Sequence, residues 1–215
     1  NKRTPKNGKR YTVTPGFIKH LKEQYERCKS LNRLMVMPIT IYNKQHANMV
    51  IFNPFRNEVE RFEPHGTNTK IDGFNDSQVN EQLKKFVEKL NIDATYVPSH
   101  KTCPIGYRAY QEYDKEQRKK RKVNNISVLD PGGYCCAWSF FYADLRLKYP
   151  RLSGAEIIRK SMDIIGTNPK TFRSFIHGQV KYLHKLMKRI NKKSNFEKYV
   201  NWYNQYDNDD IQFTA

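Results

Sequence analysis

Acidic side chains are the scarce charge here: 21 Asp and Glu against 39 Lys and Arg leave a formal net charge of +18. A field of that sign attracts nucleic acid, anionic surfaces or acidic proteins. No apolar run approaches a membrane span, and the opening NKRTPKNGKR lacks the apolar region of a signal peptide. With no Met at position 1, the chain reads as trimmed or processed. Only four cysteines are present, two of them adjacent, which is a poor disulfide framework and points to a soluble, reducing compartment. No CxxC or HxxxH occurs; His100-x-x-Cys103 has metal-ligand spacing, but its partners would have to be the adjacent cysteines, so zinc is not expected. Phosphate loop, dinucleotide fingerprint and GxSxG elbow are missing as well. So are a helix-turn-helix, an aromatic ladder, an RNA-binding signature and any internal repeat, so charge by itself names no binding module.

What is there suits one medium domain. The 215 residues are 38% hydrophobic and 13% aromatic, enough to bury a core. Residues 1–13 read as a mobile basic arm, 14–205 as a single domain and 206–215 as an acidic tail. A helix is predicted from Pro15, with Phe17, Ile18, Leu21, Tyr25 and Cys28 on one face. Leu34–Tyr42, Ala47–Asn53 and Glu58–Glu63 read as neighbouring strands, the last two joined by the turn NPFRN. Asp76 is predicted to cap a helix carrying Val79, Leu83, Phe86, Val87 and Leu90, followed by a strand at Ala94–Pro98. Residues 114–127, with the run Lys115 to Lys122, form a charged connector. Pro131-Gly132-Gly133 then turns into the apolar-rich helix CCAWSFFYADLRLKYP. Ser153 and Glu156 make a capping box for Ala155–Ile165, and a long basic helix follows from Pro169 towards Lys192. This order predicts an α+β fold, with a mixed or antiparallel central sheet flanked by helices.

Three residue types carry the chemistry. A Cys in the first turn of a helix meets the positive end of the helix dipole and unpaired backbone N–H groups, both of which favour thiolate and can receive an oxyanion. Cys135 and Cys136 stand at such a place, although small buried hydrophobes are the commoner fate of free cysteines. His46, next to an apolar strand, can take the thiol proton; Glu63, at the end of the following strand, can orient the imidazole if the two strands pair as a hairpin. His65 is a rival base. Trp138 reads as core, and Tyr134 as a residue beside the cleft.

The segments HANMVIFNP, ERFEPHG and PGGYCCAWSFFYADLRLKYP together resemble the superfamily of adenovirus-type and SUMO-specific (ubiquitin-like-protein-specific) cysteine proteases, in the form carried by large DNA viruses. The chain order His, acid, Cys is that superfamily's, and Trp138 three residues after Cys135 fits its pattern. The resemblance covers residues 35–150 best and implies a nucleophile Cys135 at a helix N-terminus, with His46 as base and Glu63 as orienting acid, Asn53 being a weaker second candidate for that third place. It further implies a thiol protease that cleaves peptide or isopeptide bonds after Gly-Gly-like residues. The expected substrate is ubiquitin or a ubiquitin-like modifier on its target, or else a viral precursor cut during virion maturation. Either needs neither metal nor organic cofactor. The expected setting is a host cell's cytoplasm or nucleus, or a virion, with no membrane partner and with non-specific nucleic acid on the basic patches. One departure stands out: the superfamily's oxyanion Gln is missing from Ser127-Val128-Leu129-Asp130-Pro131, so Gln111 is the substitute donor. A non-catalytic, nucleic-acid-associated protein on the same fold, and an acyltransferase, are the other expectations.

Overall fold

The computed structural model describes residues 14–41, 46–66, 75–102, 134–166 and 168–193. The basic arm, Cys103, Gln111, the charged connector, the Pro131-Gly132-Gly133 turn and the acidic tail lie outside the described residues. In chain order the elements are α1 (Pro15–Ser30), β1 (Met35–Ile41), β2 (His46–Asn53), β3 (Glu58–Phe62), α2 (Asp76–Leu90), β4 (Thr95–Val97), the short α3 (Ser99–Thr102), α4 (Cys135–Lys148), α5 (Gly154–Ile165) and α6 (Pro169–Lys193). The strands form one sheet in the order β1-β2-β3-β4, antiparallel across the first two pairs and parallel between β3 and β4. The α+β class with a mixed sheet and flanking helices is therefore observed. Among the described residues, no helix is long and apolar enough to cross a membrane.

Local chemistry sets most boundaries. Thr14 accepts from the Phe17 N–H and Pro15 opens α1, where its missing N–H costs nothing. Ser153 and Glu156 complete the expected capping box of α5. The cap of α2 is Asn75, one residue before the expected Asp76, because the Asp76 carboxylate is engaged by Arg61 instead. Asn57, at φ 49°, takes the left-handed conformation that the turn from β2 to β3 requires and that Asn tolerates.

Strand alternation divides the core in two. Val50, Phe52 and Val59 face α1 and α2, where Leu21, Tyr25, Val87 and Leu90 close over them. Met49, Ile51 and Phe62 face α4, α5 and α6, packing with Trp138, Tyr142, Ile158, Phe172 and Ile176. Phe62 stacks on Tyr142 with ring centroids 4.2 Å apart, and fully buried Trp138 sits among Phe141, Phe172 and Phe175. Burying each such side chain contributes about 1.5–3 kcal/mol, which fixes α4, and with it Cys135, against the sheet.

Candidate active site

The site forms where the first residue of β2 meets the first residue of α4. Antiparallel pairing of β2 with β3 carries His46 and Glu63 to the same end of the sheet. The His46 Nε2–H donates to both carboxylate oxygens of Glu63, at 2.7 and 2.9 Å. That leaves Nδ1 for the Cys135 thiol, with which the imidazole is hydrogen-bonded. The Ala47 backbone N–H lies 3.5 Å from Cys135 Sγ, and the Cys136 backbone N–H also supports that sulfur. His46, Glu63 and Cys135 are all buried, at 2%, 0% and 7% exposure.

The electrostatics run in one direction. Burial disfavours the charged imidazole, but the hydrogen bonds and charges of Cys135 and Glu63 outweigh it and His46 is pushed up to about 9. Burial likewise pushes the Cys135 thiol up, yet the His46 hydrogen bond, the Ala47 N–H and the His46 charge bring it below the ordinary thiol range. Cys136 has no such partner: burial and the neighbouring Cys135 push it up, although its side chain is the exposed one of the pair. The two adjacent cysteines thus divide into a buried, acidified thiol and an exposed one held above the ordinary thiol range.

Of the rivals to this trio, Asn53 is engaged away from it and His65 sits against it. Asn53, at the far end of β2, donates from Nδ2 to the Pro150 carbonyl at 2.7 Å and accepts from the Phe55 N–H, which ties the β2–β3 turn to the end of α4. His65 lies against His46, ring centroids 5.0 Å apart, and contributes its backbone N–H to Glu63 Oε1 at 3.0 Å. Tyr134 stands just before Cys135 and shares a 2.7 Å hydrogen bond with His177 of α6. Among the described residues, no group of three His, Cys, Asp or Glu is placed to hold a metal ion. A cavity of about 440 Å³ runs beside Phe141, Leu145, Ile157, Ile165 and Phe175, and none of the trio lines it.

Sequence reasoning missed the supports. Arg61, fully buried, donates to Glu63 Oε2 at 3.0 Å, to Asn48 Oδ1 at 2.7 Å and to Asp76 Oδ1 at 2.7 Å. The available signal was an Arg two residues before Glu63 within the strand Glu58–Phe62, hence on the same strand face. A buried Arg on such a face needs an acid partner. The His177 contact had no sequence signal at all, since 43 residues separate it from Tyr134.

No family model matches the chain, and no solved structure matches it. A protein of Acanthamoeba polyphaga mimivirus, provisionally named ankyrin repeat protein L371, is 28% identical over 177 residues, covering 74% of this chain and 22% of that protein. This corrects the expected function. The matched protein is named for repeats and not for proteolysis. A thiol protease releasing ubiquitin-like modifiers is therefore not supported, nor are its alternatives, the virion-maturation protease and the nucleic-acid-associated module. The chain spans about a fifth of its mimivirus relative, to which the repeat name applies.

Proposed function

We propose that the chain is a cysteine-dependent enzyme whose Cys135 thiolate attacks an electrophilic acyl carbon. In this scheme His46 holds the proton as imidazolium and returns it to the leaving group, and Glu63 keeps the ring in the required tautomer. The observation that supports this most is His46 held between Glu63, at 2.7 Å, and the Cys135 thiol. Cys135 as the first residue of α4 adds the helix dipole and backbone N–H groups on the side where an oxyanion would form. The order His, acid, Cys is also what supports kinship with the adenovirus-type and SUMO-specific superfamily.

The test uses the two cysteines against each other. Iodoacetamide alkylation, followed residue by residue by peptide mass mapping at pH 6, is expected to modify Cys135 about tenfold or more faster than Cys136. Exposure alone predicts the opposite order, since Cys136 is the exposed thiol. An activated ester panel should also give a stoichiometric acyl burst that is lost in Cys135→Ala and kept in Cys136→Ala. Faster labelling of Cys136 in folded protein, with no burst, would sink the proposal.

A further inference from the structure

We propose that Arg61 is a positioning residue for this site, holding the Glu63 carboxylate in the one orientation that presents both its oxygens to His46; this rests on the thiol-enzyme reading above. Glu63 Oε1 is held by the His65 backbone N–H at 3.0 Å. Arg61 Nη2, at 3.0 Å from Oε2, adds a charged anchor on the other oxygen.

The guanidinium is itself fixed from the side away from the thiol. Nη1 donates to Asp76 in the first turn of α2, and Nε donates to Asn48 in β2. Asp76 is in turn held by Asn80 Nδ2 and by Ser99 Oγ, each at 2.9 Å. Asn80 Oδ1 accepts from the Tyr96 hydroxyl at 2.9 Å and from the Ser99 N–H at 3.2 Å. The start of α2, β4 and α3 therefore meet the site through one side chain. A planar fork with fixed donor directions can satisfy Asn48, Asp76 and Glu63 together. An ammonium group cannot reproduce that plane.

The experiment compares wild type, Arg61→Lys and Arg61→Met as full chains. Cys135 alkylation is followed from pH 5 to pH 10, with Cys136 as reference in the same molecule and circular dichroism as the fold check. In Arg61→Lys, the Cys135 rate at pH 6 is expected to fall about tenfold as its titration moves back towards the ordinary thiol range, while Cys136 is unchanged. Arg61→Met should move it further. A folded Arg61→Lys whose Cys135 profile superimposes on wild type would reduce Arg61 to fold support and overturn the proposal. If Arg61→Met does not fold, Arg61→Lys decides alone. Failure of the underlying reading looks different: wild type would then show no advantage of Cys135 over Cys136.

Discussion

Two buried glutamates, Glu60 in β3 and Glu63 just beyond its end, are put to different use. Glu60 points towards α4, where Arg146 Nε lies 2.5 Å away and the Tyr142 hydroxyl donates at 3.0 Å. Arg146 is further tied to the Leu152 carbonyl, and the space beside the pair is so tight that a Cβ on Gly154 would meet Tyr142 and Thr102. Burial pushes Glu60 up while Arg146 opposes it, but every partner is a permanent cation or a hydroxyl. Glu63, three residues on, is buried too and also has an Arg, yet it further accepts from an imidazole that leads to a thiol. Burial and an ion pair are thus common to both carboxylates. What separates the strut from the candidate site is a titratable ring with a thiol on its other side.

The largest effect should come from breaking the strut. Arg146→Met leaves Glu60 buried without its cation and is expected to cost about 3–5 kcal/mol in urea denaturation. A Glu60→Leu/Arg146→Met double variant should recover most of that loss. The Cys135-to-Cys136 labelling ratio should stay at its wild-type value in folded Arg146→Met. A change in that ratio would mean that the strut and the candidate site are coupled.

Next in size is the site itself. His46→Ala should lower Cys135 alkylation at pH 6 by about tenfold or more, and Glu63→Gln by less, because the ring remains but loses its charged anchor. Equal rates in all three proteins would remove the chemical half of the comparison.

A smaller effect is the pH dependence of stability. His46 is raised to about 9 in the folded chain against roughly 6.5 unfolded. The folded state therefore binds the extra proton between those values, and this contribution is full below 6.5 and lost as pH rises through about 9. The depressed Cys135 acts in the other sense: its contribution is present above the ordinary thiol range and lost as pH falls through its folded value. In a Cys135→Ala background, which removes the opposing thiol contribution, urea midpoints with and without His46→Ala at pH 6, 7.5 and 9.5 should converge as pH rises. A constant gap would contradict the raised imidazole. Smallest of all, Lys85→Ala removes an exposed helix-surface pair with Glu81 and should leave the midpoint unchanged within error.

Much of this layout was legible before any coordinates. Ser153 with Glu156, Pro15 after Thr14, and the turn between Asn53 and Glu58 mark boundaries through backbone chemistry that acts within a few residues. The apolar periodicities of Val50 and Phe52, and of Leu21 and Tyr25, mark which faces turn inward. The pairing of His46 with Glu63 was also within reach, because a hairpin makes near neighbours of strand residues on either side of one turn. The cap of α2 was misplaced by one residue for a reason no local rule contains: Asp76 is spent on Arg61.

Local sequence thus settled the longer helices, the strands and the residue types capable of thiol chemistry, though not the short α3, since propensity, capping and alternation depend on neighbours along the chain. Tertiary structure alone decided which cysteine meets the imidazole, which glutamate is a strut and which belongs to the site, and that Arg61 stands behind the trio. Those outcomes depend on distances between segments far apart in sequence and on the burial that removes water from between them. Water is what would otherwise level the difference between two neighbouring thiols.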